Sequence, residues 1–205
     1  MARTIGIGIQ SFEKIIQNQY LYIDKTLFIK EWWESGDEVT LVTRPRRFGK
    51  TLNMNMLERF LSTEYAGQSK VFEGLSIWKE EKYRELQGTC PVIFLSFADI
   101  KANTFAMARE KICMLIREIY GRYDFLLAGG TLKEGEPEFF RSVFSEMSDS
   151  VVSYSLKNLS GYLARYYNKK VVILLDEYDA PLQEAWVYGY WQEMVDFTRS
   201  LFNAT

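Results

Sequence analysis

The sequence predicts an α/β fold with a mainly parallel sheet. Three runs of strand length, 39–43, 91–97 and 171–175, are rich in apolar and β-branched residues. Segments with apolar residues at helical spacing lie between them, which is the alternation typical of α/β layers. The continuous apolar character of 171–175 predicts a strand buried on both faces, as at the centre of a parallel sheet.

Helices and loops are predicted from periodicity and capping residues. Ser11 is expected to cap a short helix that ends near Gln17, and 20–23 alternates like a short strand. A Gly129-Gly130 pair indicates a loop over 121–135. Further helices are predicted at 26–33 with a stop at Gly36, at 52–61, along a face containing Ile112 and Ile119, at 137–147, at 151–167 and at Trp191–Phe202.

Composition limits the classes of function. The chain has 205 residues, 47% of them hydrophobic, which is enough for a large core, and we expect one domain over 1–205. Its net charge of −2 argues against broad adhesion to nucleic acid or to anionic membranes. Histidine is absent from the sequence, which excludes Ser-His and Cys-His nucleophiles.

The cysteines and the lengths of the apolar runs indicate the redox state of the thiols and the location of the protein. Cys90 and Cys113 lie among apolar neighbours without metal-ligand spacing, so we expect reduced core residues. No apolar run approaches the roughly 20 residues that a membrane span needs, and the start of the chain has no signal-peptide core. The expected location is the cytoplasm, with no membrane partner.

A phosphate-binding loop is predicted at Gly49-Lys50-Thr51, between the run 39–43 and a helical segment. In such a loop the backbone N–H groups from Phe48 to Leu52 face the phosphates. Lys50 adds a positive charge there, and the Thr51 hydroxyl can bind Mg²⁺. The usual first glycine of this loop is replaced by Arg44, and Pro45 removes one donor. A basic strand-to-helix turn is the alternative.

Asp176 and Glu177 end the last apolar run, at the strand end where open α/β sheets bind ligands. Asp176 is predicted to hold Mg²⁺ and Glu177 to polarise the attacking water as the catalytic base. Asp179 is expected either to join the metal shell or to cap the next helix. A solvated strand end is the alternative for the acids, but the two motifs in this order favour a P-loop NTPase-type three-layer sandwich.

Three segments resemble the AAA-ATPase-like family of bacterial P-loop proteins. They are 20–26 (YLYIDKT), 43–54 (TRPRRFGKTLNM) and 174–182 (LLDEYDAPL). The resemblance covers nearly the whole chain and implies that the arginine in place of the first glycine is a family trait. Many members carry a C-terminal domain similar to PD-(D/E)XK nucleases, which is not visible in this sequence, so nuclease activity is not expected.

Many P-loop ATPases place the groups that cover the adenine shortly before the first sheet strand, which suggests further binding residues. An N-terminal segment, 1–36, is expected to cover the adenine, before a nucleotide-binding core at 37–205. Tyr22 and Ile23 are candidates for base contacts, with core packing as the alternative. Arg46 and Arg47 are expected either to lean over the phosphates or to remain in solvent.

The expected function is binding of ATP with Mg²⁺, followed by hydrolysis to ADP and phosphate, with Lys50 and Glu177 as the catalytic pair. The alternatives are a nucleotide-switched module without turnover and, disfavoured by the net charge, a nucleic-acid-binding domain. The family resemblance implies a sensor strand after the acids, yet Trp191–Phe202 is predicted as helix. We therefore expect a sheet that is incomplete at the C-terminus, a missing C-terminal domain, and self-association through unpaired strand edges.

Overall fold

The computed structural model describes residues 4–43, 45 and 48–202, which form two compact units, Met1–Val92 and Ile93–Thr205. The fold is mixed α/β and mostly helical. In the described part of the chain one sheet is present, in which two parallel strands lie side by side.

The first unit is helical. It contains α1 (Phe12–Gln17), α2 (Leu27–Ser35), α3 (Lys50–Leu61) and α4 (Glu81–Arg84), with 3-10 turns at Thr63–Tyr65, Ser69–Phe72 and Ser76–Lys79. Phe72 stacks on Phe12 with ring centroids 5.2 Å apart and meets Phe60 edge-to-face at 5.0 Å. All three rings are fully buried, so this aromatic group is the centre of the core that supports α3.

Two helix ends in this unit confirm the capping predictions. The Ser11 hydroxyl accepts a hydrogen bond from the Lys14 N–H at 3.3 Å, which caps α1. Gly36 follows α2 in the left-handed conformation, with φ of 67°, where a side chain would be strained.

The second unit contains the sheet, apart from Val92, which is the first residue of the first strand and the last of the first unit. Its elements are β1 (Val92–Ser96), α5 (Phe105–Arg122), a 3-10 turn at Asp124–Leu127, α6 (Glu136–Ser142), α7 (Asp149–Tyr167), β2 (Val172–Asp176), α8 (Ala180–Tyr188) and α9 (Trp191–Phe202). Helices α5, α7 and α9 bury their apolar faces in one core. The Tyr120 hydroxyl donates to the Ser155 carbonyl at 2.7 Å, which ties α5 to α7 inside that core.

Most predicted helices are confirmed, but two predicted strands are wrong. The runs 39–43 and 20–23 are irregular in the structure. Val39 is 88% exposed, so the first run lacks the burial that a sheet strand needs. In the second, the Tyr22 ring packs against Phe12, and the chain turns at Asp24 instead of extending.

Three smaller expectations are also corrected. In β2 only Leu174 and Asp176 are buried and the other residues are half-buried, so the strand is not covered on both faces. The loop predicted at 121–135 contains the 3-10 turn Asp124–Leu127. The helix predicted at 137–147 ends at Ser142, because the chain turns there through a Phe144 N–H to Arg141 carbonyl bond.

Candidate nucleotide-binding site

The N-terminus of α3 has the backbone geometry of an anion site. Gly49 precedes the helix with φ of 78°, a left-handed conformation that glycine adopts without strain. The first helical hydrogen bond runs from the Asn53 N–H to the Gly49 carbonyl at 2.9 Å. The N–H groups of Lys50, Thr51 and Leu52 therefore come before the first N–H that has an intrahelical acceptor, and N–H groups at this position are directed out of the helix end.

Other residues at this turn are placed as follows. Lys50 and Thr51 are half-buried, and Phe48 is exposed. The Phe48 N–H makes a long bond of 3.4 Å to the Pro45 carbonyl. Arg44, Arg46 and Arg47 lie outside the described residues, so the predicted role of the two later arginines at the phosphates stays a prediction.

The carboxyl end of β2 carries a buried acid. Asp176 is 4% exposed, and its Oδ2 atom has no hydrogen-bond partner among the described residues. Its carbonyl accepts a bond of 2.9 Å from the Phe97 N–H, which extends the pairing of the two strands to their ends. An unpaired buried carboxylate oxygen is costly, and a bound cation or an ordered water offsets that cost.

Glu177 follows in a strained conformation. Its φ is 51°, in the left-handed region of backbone conformation that residues other than glycine and asparagine rarely adopt. The Glu177 carbonyl accepts from the Ala180 N–H at 2.9 Å, so the strain belongs to the tight turn that starts α8. Strained residues of this kind cluster at functional sites.

Asp179 does not cap α8 through its side chain. It occupies the position before the helix, but its carboxylate accepts from the Gln183 side chain at 2.7 Å. The capping alternative is thus confirmed for the position of this residue but not for its side chain, and the metal-shell alternative stays a prediction.

The residues predicted to contact adenine differ in exposure. The Tyr22 hydroxyl lies 3.3 Å from the Met56 sulfur, and its ring meets Phe12 at 5.5 Å. Burial raises the pKa of Tyr22 to about 12. Ile23 is 74% exposed and available to a ligand. The proposed base contacts of both residues remain predictions.

The structure gives Asp24 a role that the sequence analysis missed. Its carboxylate accepts bonds from the Thr26 N–H at 2.9 Å, the Thr26 hydroxyl at 2.7 Å and the Ser76 N–H at 2.7 Å. Burial raises the pKa of Asp24, but these hydrogen bonds outweigh burial and lower it. An Asp two residues before a Thr is typical of such side-chain turns, so the signal was present in the sequence.

The donor chemistry of these residues fits Mg²⁺. Thr51 offers a hydroxyl and Asp176 an unpaired carboxylate oxygen, both of them hard oxygen ligands. Within the described residues no group of three or more acidic or cysteine side chains forms a metal cluster. Magnesium bound beside a nucleotide needs only one or two protein ligands, because phosphate and water supply the others. Thr51 belongs to the first unit and Asp176 to the second.

An open helix N-terminus after Gly49 and a strand-ending acid pair are the features of a P-loop nucleotide-binding protein. The sequence profile of a family described as "Predicted AAA-ATPase" matches residues 6–205. The chain therefore belongs to the predicted AAA-ATPase family.

The chain was also compared with curated proteins and with solved structures, and its helices were compared with the length and hydropathy of a membrane span. An uncharacterized protein in the vnfD 5' region of Azotobacter chroococcum mcd 1 is 40% identical over 76 residues, which are 37% of this chain and 14% of that protein. The chain thus matches only a small part of that longer relative. No solved structure matches the chain. Every helix within 4–43, 45 and 48–202 is too short or too polar to cross a membrane.

Proposed function

We propose that this chain binds ATP with Mg²⁺ and hydrolyses it. The observation that carries the proposal is the α3 N-terminus, where Gly49 turns the chain and three successive N–H groups lack intrahelical acceptors. The partial positive charge of the helix end adds to that of Lys50, so the β- and γ-phosphates would bind there.

The metal and the water would be held by the other motif. Asp176 would bind Mg²⁺ through its unpaired oxygen, together with the Thr51 hydroxyl. Mg²⁺ would neutralise charge on the transferred phosphoryl group. Glu177 would accept a proton from the attacking water, and Lys50 would stabilise the charge that develops on the phosphate oxygens.

The finer fold proposal is a P-loop three-layer sandwich. The parallel pairing of β1 with β2, and the helices that follow each strand, support it. In this arrangement the acids sit at the carboxyl edge of the sheet, where α/β proteins bind ligands.

The first test compares ATP binding by the wild type and by Lys50→Ala, using calorimetric titration with Mg-ATP. Loss of a charge-assisted contact to phosphate is expected to weaken binding by about 10–100-fold. Lys14→Ala is the matched control, because Lys14 is an exposed lysine in the same unit, on α1. Circular dichroism should show all three proteins folded alike.

Two results would overturn the proposal. One is a wild type that gives no heat with Mg-ATP, and the other is Lys50→Ala with the affinity of the control. A third variant, Asp176→Asn, separates the metal from the phosphate contacts. It should reduce the gain in affinity on adding Mg²⁺ and leave the metal-free affinity unchanged.

A further inference from the structure

The carboxyl ends of the two strands lie side by side. The Phe97 N–H, just beyond the end of β1, donates to the Asp176 carbonyl at 2.9 Å. In a parallel pair this bond places Phe97 beside Glu177. One residue earlier, Ser96 at the end of β1 is therefore directly beside Asp176 at the end of β2. Neighbouring strands are about 4.8 Å apart, so the two side chains start from adjacent backbone positions.

Ser96 and Asp176 share one face of the sheet. Side chains alternate between the faces along a strand, and residues beside each other on parallel strands are directed to the same side. Leu95 of β1 is buried in the core that contains α5, α7 and α9, and Leu175 of β2 packs against the same core. Ser96 and Asp176 each come one residue later, so both lie on the opposite face of the sheet.

The two side chains offer oxygen atoms to one ligand. Asp176 Oδ2 is buried without a hydrogen-bond partner among the described residues, so the Ser96 hydroxyl does not satisfy it. Ser96 is half-buried, so this end of the strand pair is not sealed from solvent. A water molecule would satisfy the oxygen but leave the buried negative charge, whereas a cation also neutralises that charge. Carboxylate and hydroxyl are both hard oxygen ligands, which Mg²⁺ and Mn²⁺ prefer.

We propose that Ser96 and Asp176 form a divalent-cation site that Mg²⁺ occupies before nucleotide binds. The inference rests on the metal role that the proposed function gives to Asp176, and it adds a second protein ligand and an order of binding. Two protein oxygens suffice, because Mg²⁺ retains several water ligands in proteins. A nucleotide that arrives later would replace some of those waters with phosphate oxygens.

The test is titration of the nucleotide-free chain with Mn²⁺, followed by electron paramagnetic resonance, in which bound Mn²⁺ loses the sharp spectrum of the free ion. The wild type should bind a single ion that Mg²⁺ displaces. Asp176→Asn should abolish this binding, because it removes the charged ligand. Ser96→Val should weaken it about tenfold or more. Ser96→Thr has the shape of the valine variant but keeps the hydroxyl, so it should bind like the wild type.

Two controls separate the site from general effects on the fold. Ser142→Ala removes a half-buried hydroxyl elsewhere in the second unit, at the end of α6, and should bind Mn²⁺ like the wild type. Lys50→Ala should do the same, because the proposed site does not include the phosphate loop. Ser96→Ala removes the hydroxyl without adding bulk and should match Ser96→Val, which keeps the test valid if the valine variant does not fold.

Three results would overturn the inference. One is a nucleotide-free wild type that binds no Mn²⁺, and another is unchanged binding in Asp176→Asn, which would assign the ions to surface acids. The third is binding by Ser96→Ala equal to that of the wild type, which would leave Asp176 without this second ligand.

The cation site and ATP binding can fail separately. If calorimetry shows ATP binding that depends on Mg²⁺ while the nucleotide-free chain binds no Mn²⁺, this inference fails and the proposed function stands. If Mn²⁺ binds as expected and Mg-ATP gives no heat, the cation site stands and the proposed function fails.

Discussion

Two runs of similar composition, 39–43 and Val172–Asp176, precede the two polar motifs, yet only the second is a strand. The backbone of Val172–Asp176 pairs with β1, and Leu174 is buried in the core of the second unit. In the first run Val39 and Leu41 are exposed, at 88% and 64%. The comparison teaches that a β-rich sequence becomes a strand only where a neighbouring strand satisfies its backbone groups and its side chains meet a core.

The turn at Gly49 and the acids at 176–177 accordingly depend on different elements of secondary structure. The turn at Gly49 is joined to its own helix by a local bond, from the Asn53 N–H to the Gly49 carbonyl, and this bond does not need a strand before the turn. The position of Asp176 depends on β2, because the last bond of the sheet involves its own carbonyl. Changes in β2 should therefore affect the acids directly, while changes in 39–43 should leave the α3 N-terminus intact.

The largest expected effect is on turnover in Glu177→Gln. Loss of a general base should slow steady-state phosphate release about 10²–10⁴-fold, while calorimetry still shows ATP bound. Glutamine keeps the size of the side chain and should tolerate the left-handed turn no worse than glutamate, so the fold should be unchanged. The control is Glu184→Gln, a nearby acid on α8 that carries no proposed catalytic role. If the wild type releases no phosphate with any divalent metal, the chain is a nucleotide-switched module and not an ATPase.

The next prediction tests the two runs against each other with the same substitution. Leu174→Ala should lower the free energy of unfolding by about 2–5 kcal/mol, because it leaves a cavity in a packed core. Leu41→Ala should change it by no more than about 0.5 kcal/mol, as for other exposed sites. Urea unfolding followed by circular dichroism measures both variants.

Equal losses in the two variants would show that Leu41 is buried and that the comparison is wrong. Repeating the urea unfolding of both variants with Mg-ATP present tests whether the run 39–43 changes its burial when nucleotide binds. If Leu41→Ala becomes costly only with nucleotide present, the run 39–43 joins a sheet when ATP binds.

The helices were predictable because their signals are local. Trp191–Phe202 was predicted with both ends correct, and Ser11 and Gly36 mark helix ends by side-chain chemistry and by φ. The conformation of segment 20–23 was not predicted correctly. It depends on the packing of Tyr22 on Phe12 and on the hydrogen bond from the Ser76 N–H to Asp24, and these contacts join residues distant in sequence. Such contacts override local alternation.

In the candidate site, too, the features set by local sequence were predictable and those set by distant contacts were not. Gly49 has the positive φ that its motif requires. The left-handed conformation of Glu177 has no sequence signature, since glutamate rarely adopts it. The unpaired Oδ2 of Asp176 also depends on what surrounds it in space, which spacing along the chain does not reveal.

The smallest expected effect on stability concerns an ion pair between Arg165 on α7, the helix that leads into β2, and Glu136 on α6. The Arg165 guanidinium binds Glu136 through two bonds of 2.7 and 3.0 Å, and Arg165 also donates to the Thr131 carbonyl at 2.9 Å. The Arg165 guanidinium, and then the Lys133 N–H, hold the pKa of Glu136 below its usual value of 4.5, although partial burial opposes them. The run 39–43 has no comparable ion pair among the described residues.

Because the pKa of Glu136 is lower in the folded state, its ionised form stabilises the fold above the unfolded pKa, near 4.5. That stability is lost as the pH falls through the lower folded pKa. Glu136→Gln should therefore cost about 1 kcal/mol or less at neutral pH, since the pair is partly exposed. The difference from the wild type should shrink below about pH 4.5. Urea unfolding from pH 7 to pH 3.5 measures it, with Glu138→Gln, an exposed glutamate on α6, as the control. A difference that stays constant over this range would show that the Glu136 carboxylate is not stabilised by Arg165, and that α7 is held in place by its apolar core alone.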